Sequence, residues 1–203
     1  MIWTTLQTRL AEVVDLGGPV VALLLAISVL SLAVITFKLW QFTTSGVGRH
    51  AAIRRALANV DNGQTNKALA DLSKSRNAIA PLLTAALAET AGRSRIEAEA
   101  SGILDRLSSG FRVLDTIAQT SPLLGLFGTV LGMIDAFRAL QAAGTVVDPS
   151  ILAGGIWVAL MTTAAGLAVA MPASIVLTYL ESRVEKDRVM TNLAFETVFD
   201  RKA

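Results

Sequence analysis

The sequence predicts an all-α, polytopic membrane protein with three transmembrane helices, in which long helices extend into a cytoplasmic helical bundle. Its 203 residues are 53% hydrophobic and 17% charged, whereas a soluble domain usually carries about 25% charged residues. The apolar residues concentrate in three uncharged runs, at 16–37, 116–134 and 149–180. Each run approaches or exceeds the roughly 20 residues that a helix needs to cross a bilayer. No alternation typical of strands stands out.

Residues 1–16 are predicted to form an amphipathic helix that lies on the outer face of the membrane, and residues 17–42 are predicted to form the first transmembrane helix. Apolar residues of the first segment share one helical face, at Ile2, Leu6, Leu10, Val13 and Val14. Gly18 and Pro19 break this helix before the span begins. Trp40 lies where aromatic side chains anchor a span at the membrane interface.

Residues 43–115 are predicted to form a cytoplasmic helical region. A turn at Gly63 separates two helical stretches, Pro81 begins a further helix and Gly92 interrupts it. A charged amphipathic helix is predicted over 97–114 and has no obvious stop before the second span. The region therefore reads as a small helical bundle.

The rest of the chain is predicted to form a second span, 116–138, a short periplasmic loop, 139–150, a third span, 151–180, and a cytoplasmic C-terminal helix, 181–203. Small and hydroxyl residues of both spans align at helical steps of three and four, at Ala118, Ser121, Gly125, Thr129, Gly132 and Ala136 in the second span and at Gly155, Ala159, Thr163, Gly166, Ala170 and Ser174 in the third. The first span has no such face.

The distribution of positive charge predicts the orientation of the chain. Of the 18 lysines and arginines, all but Arg9 and Arg138 lie in the region between the first two spans, after the third span, or at Lys38, which can reach the same side. Such a bias marks the cytoplasmic side of a membrane protein. The N-terminus is therefore predicted to be periplasmic and the C-terminus cytoplasmic, and the small net charge of +2 is explained without nucleic acid as a partner.

The sequence has few of the residues that catalytic sites and metal sites usually require. The chain has no cysteine and one histidine, and it shows no serine, histidine and aspartate set and no metal-spaced cluster. His50 is interpreted as a cytoplasmic surface histidine. The glycines at 125, 128 and 132 are not followed by the lysine and hydroxyl residue of a phosphate-binding loop. The sequence therefore predicts no enzyme, no metal and no cofactor.

The two small faces have two interpretations. Small residues allow helix backbones to approach closely in lipid, which would be purely structural. If several subunits surround an axis, the hydroxyls of Thr129 and Thr163 could instead form a polar ring that passes protons or small cations. The candidate pore-lining residues are Thr129, Thr163, Gly125, Gly132, Ala159, Gly166 and Ala170.

Four further residues are candidates for lesser roles in or near the spans. Asp135 and Arg138 lie near the outer end of the second span at a spacing that allows an ion pair, or a role at the mouth of an ion path. Pro122 and Pro172 lie inside the second and third spans, where a proline frees a backbone carbonyl and marks a possible bend.

Two motifs carry a family resemblance. GLFGTVLGM in the second span and TTAAGLAVAMPA in the third resemble the MotA/TolQ/ExbB proton channel family, and most closely its ExbB and TolQ branch. The resemblance covers roughly residues 121–173. It implies a homopentamer in the bacterial inner membrane, with the second and third spans around a pore and Thr129 and Thr163 as its hydroxyl rings.

The resemblance also implies partners. An ExbD- or TolR-like single-span subunit would lie inside the pore and take up the proton on an aspartate. A TonB- or TolA-like protein would receive the mechanical work. Many relatives have an acidic or other polar residue five positions before the threonine that matches Thr163, and here that position is Val158. The titrating carboxylate is therefore expected to belong to the partner.

Three functions remain open at the level of sequence. The first is the pore-forming subunit of a proton-driven motor, with sodium as the other possible ion. The alternative is a non-conducting structural scaffold for a partner complex, which the valine at position 158 keeps open. A secondary transporter is disfavoured because the three spans show no inverted repeat.

Overall fold

The computed structural model describes the backbone of residues 2–142 and 149–200, and the side chains of 18–142, 149–150 and 152–200. These described residues form seven helices: α1 (Ile2–Thr44), α2 (Ala51–Asp61), α3 (Thr65–Ser73), α4 (Ala80–Leu87), α5 (Arg93–Ser108), α6 (Phe111–Ala142) and α7 (Pro149–Asp200). No strand occurs in these described stretches. The all-α fold class is therefore confirmed.

Three stretches of helix are long and apolar enough to cross a membrane. In the described part of the chain they are Gly18–Thr44, Arg93–Ala142, which comprises both α5 and α6, and Leu152–Asp200. The three predicted spans are therefore confirmed by length and composition. At 52 residues, α7 is far longer than the roughly 20 residues that a span requires.

Some predicted segments fall wholly or partly outside the described residues. The amphipathic face proposed for 2–14 depends on side chains that the structure does not describe, although the backbone there is helical. Residues 143–148 of the predicted periplasmic loop and the last three residues of the chain are also outside it.

Glycine and proline set most of the helix boundaries, as the sequence predicts. Gly18 interrupts α1 with a φ of 63°, and Gly63 follows α2 with a φ of 78°. Pro81 lies in the first turn of α4, where its missing N–H costs nothing. The prediction of one helix over 97–114 is wrong, because α5 ends before Gly110, whose φ of 83° is incompatible with a right-handed helix.

The chain divides into two compact units. The first unit comprises Met1–Ile35 and Arg112–Leu177, and the second comprises Thr36–Phe111 and Thr178–Ala203. The second unit has a hydrophobic core to which helices α2 to α5 contribute one face each. The C-terminal part of α7 completes this core with Ala194, Phe195 and Val198. This arrangement agrees with the helical bundle predicted for the region between the first two spans.

A buried lysine ties the end of α1 to the end of α5 within the second unit. Lys38 is only 2% exposed, and its Nζ donates hydrogen bonds to the Gln41 Oε1 (2.8 Å), the Leu107 carbonyl (3.1 Å) and the Ser109 Oγ (3.3 Å). The Nζ also lies 5.6 Å from the centre of the Phe111 ring. The Leu107 carbonyl belongs to the end of α5, where helix carbonyls carry partial negative charge that offsets part of the cost of burying an ammonium.

We expect Lys38→Ala to destabilise the protein by about 2–4 kcal/mol, since it removes charge-assisted hydrogen bonds and leaves a cavity beside Phe111. Thermal unfolding in detergent, followed by circular dichroism, measures the effect. The matched control is Lys67→Ala, because Lys67 is exposed on α3. Equal unfolding temperatures for the two variants would contradict a structural role for Lys38.

The interpretation of His50 as a surface histidine is wrong. Its side chain is 12% exposed and its Nε2 contacts the Oδ1 of Asp187, a residue of α7 that is 3% exposed. The same oxygen accepts a hydrogen bond of 2.9 Å from the Gly48 N–H. The sequence could not show this contact because the two side chains are 137 residues apart. Asp187 thereby fastens the loop after α1 to α7 within the second unit.

Candidate ion-pathway site

In the first unit, α6 and α7 contact each other through their glycines. A methyl group placed at Gly166 would lie 2.5 Å from the Ser121 carbonyl oxygen, and one placed at Gly125 would lie 2.9 Å from the Thr162 carbonyl oxygen. At Gly132 the nearest atom would be the Ala159 Cβ, at 3.3 Å. The two backbones are therefore as close as glycine alone permits.

The same contact continues toward the start of α7. A methyl group at Gly155 would overlap the Ala136 Cβ. Ala159 and Ala170 are buried. Of the seven predicted pore-lining residues, the structure thus brings Gly125, Gly132, Ala159 and Gly166 together at this contact within one chain.

The threonine at the centre of the contact is Thr162, which the sequence did not single out. It is 2% exposed, and its hydroxyl donates to the Gly125 carbonyl of α6 at 3.2 Å and to the Ala159 carbonyl of its own helix at 2.7 Å. A methyl group at Gly128 would lie 2.7 Å from the Thr162 Oγ1, so this hydroxyl fits against a glycine of α6. Both Thr162 and Thr163 lie three or four residues from Ala159 and from Gly166. Helical periodicity therefore could not show which of the two threonines faces α6.

The two predicted pore threonines are more exposed than Thr162. Thr129 is half-buried, and its hydroxyl donates to the Leu126 carbonyl of its own helix at 2.6 Å, a common arrangement for a threonine within a helix. Thr163 is also half-buried. Both residues therefore keep some exposure on membrane-length helices.

A buried serine adds a polar atom to the α6 and α7 contact. Ser121 is fully buried, and its hydroxyl makes no hydrogen bond within the described part of the chain. The Ser121 carbonyl is the atom closest to a methyl group placed at Gly166. The serine thus lies beside one of the close approaches of the two helices.

The remaining candidates lie at the edges of this arrangement or outside it. The Arg138 Nη1 is 3.9 Å from the Asp135 Oδ1, and both side chains are more than three-quarters exposed, so their attraction is weak. Pro122 and Pro172 lie inside the continuous helices α6 and α7. Val158 is half-buried and supplies no titratable group. Among the described residues, no group of three or more histidines, cysteines, aspartates and glutamates could hold a metal ion.

Comparison with known proteins identifies the family. Residues 74–192 match the MotA/TolQ/ExbB proton channel family. The biopolymer transport protein exbB1 of Vibrio cholerae is 36% identical over 157 residues, which cover 73% of this chain and 67% of that protein. An ExbB-like protein of Synechocystis is 32% identical over 188 residues, which cover 89% and 74% of the two chains.

The Tol-Pal system protein TolQ of Haemophilus influenzae is also similar, at 38% identity over 103 residues. That alignment covers 49% of this chain and 45% of TolQ. The matched family region contains all of α6 and most of α7, and therefore the whole glycine contact. The chain belongs to the MotA/TolQ/ExbB proton channel family, on its ExbB and TolQ branch.

Proposed function

We propose that this protein is the pore-forming subunit of an inner-membrane motor that uses the proton-motive force. It would convert proton flow into mechanical work on a TonB- or TolA-like partner that spans the periplasm. The observation that carries the proposal is the family match over α6 and α7. The half-buried Thr129 and Thr163 support it, since each could present a hydroxyl to an ion path.

A pore of this kind requires several copies of the chain, because one copy cannot surround an axis. We propose a homopentamer in which the second and third spans form the wall. Gly125, Gly132, Ala159, Gly166 and Ala170 would shape that wall by holding α6 against α7. Thr129 and Thr163 would supply its polar surface.

The proton itself is assigned to a partner. Val158 cannot titrate, and the described part of α6 and α7 between Gly125 and Ala170 carries, besides the exposed Asp135 and Arg138, no ionisable side chain. We propose that an aspartate on an ExbD- or TolR-like single-span subunit takes up the proton inside the pore. The N-terminus would face the periplasm, with the second unit and the C-terminus in the cytoplasm, because the lysines and arginines concentrate there.

Native mass spectrometry of the detergent-solubilised complex tests the assembly. The chain is co-expressed with a single-span partner that carries one membrane aspartate. We expect five copies of the chain with the partner bound. A monomer or dimer as the only species would contradict the pore. A non-conducting scaffold would give the same assembly. A measurement of proton flux distinguishes such a scaffold from a motor.

A further inference from the structure

A small cavity of about 240 Å³ lies in the second unit, beside the end of α1. Its apolar wall includes Leu39 and Phe42 of α1 and the Tyr179 ring of α7. Two arginines, Arg49 and Arg183, line the same cavity. It therefore combines an apolar side with a pair of cations, which suits a ligand that has both an apolar and an anionic part.

The guanidinium of Arg183 is held in place at this cavity. Its Nε donates to the Tyr179 hydroxyl at 3.1 Å, and its Cζ lies 5.1 Å from the centre of the Tyr179 ring. A methyl group placed at Gly48 would lie 2.9 Å from the Arg183 Nη1. Gly48, with a φ of 79°, thus leaves the space that the guanidinium occupies.

The two cavity arginines have no carboxylate partner in the part of the chain that the structure describes. Within the described residues, neither Arg49 nor Arg183 forms an ion pair with a carboxylate. The nearby Asp187 is instead engaged by His50 and the Gly48 N–H. Arg49 also borders a second cavity of about 440 Å³ that is lined by further basic residues, among them Arg54, Lys74 and Arg76. Basic side chains therefore cluster around the cavity, and such a cluster favours an anion.

The position of the cavity along the chain indicates the source of the anion. Leu39 and Phe42 belong to the last turns of the membrane-length stretch Gly18–Thr44, where Phe37 and Trp40 are exposed as in an interfacial aromatic belt. We propose that this cavity binds the headgroup of an anionic phospholipid from the surrounding bilayer. The phosphate lies between Arg49 and Arg183, and the start of an acyl chain follows Leu39 and Phe42.

The geometry of the arginines supports a phosphate as the anion. An arginine guanidinium presents a planar fork of donors that matches phosphate oxygens. Basic side chains at the cytoplasmic face of a span are a common means of binding anionic lipid headgroups. The site needs only a bilayer and this one chain, so lipid binding can succeed or fail independently of proton conduction.

Lipid titration followed by native mass spectrometry tests the proposal on the full-length protein in detergent. The probes are dioleoyl phosphatidylglycerol, dioleoyl phosphatidylcholine and glycerol phosphate. We expect Arg49→Gln and Arg183→Gln each to weaken phosphatidylglycerol binding about fivefold, and the double variant to weaken it further. Arg183→Lys keeps the charge but loses the planar fork and the contact with Tyr179, so it should bind phosphatidylglycerol more weakly than the unchanged protein and more tightly than Arg183→Gln. The matched control, Arg188→Gln, removes a charge from α7 outside the cavity and should bind phosphatidylglycerol like the unchanged protein.

Three results would overturn the proposal. Equal phosphatidylglycerol binding by the unchanged protein and the double variant would show that the two arginines do not contribute to the site. Equal binding of phosphatidylcholine would show that the lipid is held without regard to charge. Binding of glycerol phosphate as tight as that of the lipid would assign the cavity to a free anion. Circular dichroism of each variant verifies that it is folded, and Arg183→Lys provides a second folded reference.

Discussion

Replacing Gly166 with alanine is expected to force α6 and α7 apart and to destabilise the protein by about 3 kcal/mol. The added methyl group would lie 2.5 Å from the Ser121 carbonyl oxygen and 3.1 Å from the Gly125 Cα. Both neighbours belong to the backbone of a helix, which cannot move aside as a flexible side chain can. Overpacking of this kind typically costs about 1–3 kcal/mol, and rigid neighbours place the effect at the upper end.

A second glycine of the same helix provides the control. A methyl group placed at Gly154 would meet no other described group within 4 Å, and alanine is the better helix former by about 1 kcal/mol. Thermal unfolding of Gly166→Ala and Gly154→Ala in detergent compares the two positions. We expect a clear loss of stability for the first and none for the second. If Gly166→Ala unfolds at the same temperature as Gly154→Ala, the close contact between α6 and α7 does not contribute to the stability of the protein.

Replacing Thr129 or Thr163, the two threonines proposed to line the pore, with valine is expected to lower proton flux by at least about tenfold while leaving the assembly intact. Valine has nearly the shape of threonine but cannot hydrogen-bond. A hydrogen bond to a charged group is worth about 1.5–3 kcal/mol, and a barrier higher by this amount slows passage roughly 10- to 100-fold. Thr129→Val and Thr163→Val are compared in vesicles loaded with a pH-sensitive dye.

Thr162→Val is the matched control for this pair, because Thr162 neighbours Thr163 on α7 but is buried against α6. Its hydroxyl bonds to the Gly125 carbonyl, and such bonds between membrane helices are worth about 0.6 kcal/mol on average. We expect Thr162→Val to lose a little stability and to keep its flux. Unchanged flux in both Thr129→Val and Thr163→Val would contradict a role for the threonine hydroxyls.

The fold could be predicted from sequence because its main determinants are local. Uncharged runs of membrane length predict the three long helices, and the φ values of Gly18 and Gly63 match the breaks expected there. The sequence does not predict the stop at Gly110, because a single glycine within a helical pattern is often tolerated. The left-handed φ of Gly110 separates α5 from α6, and the Lys38 ammonium bonds to the end of α5.

The candidate site was only partly predictable, because periodicity identifies a helix face but not the neighbour that the face meets. Steps of three and four brought out Gly125, Ala159 and Gly166, which the structure does place together. The same steps could not choose between Thr162 and Thr163, which differ by one residue and about 100° around the helix. The pairing of His50 with Asp187 joins distant parts of the chain and has no local signal at all.

Proton flux into vesicles is the measurement that tests the central claim most directly. The chain is reconstituted with a single-span partner, and a pH gradient and membrane potential are applied. The account predicts flux for the complex with the unchanged partner, and loss of flux when the membrane aspartate of the partner is replaced with asparagine, because Val158 leaves this chain without a carboxylate at that position. No flux from the fully assembled complex, or equal flux with the asparagine partner, would contradict it.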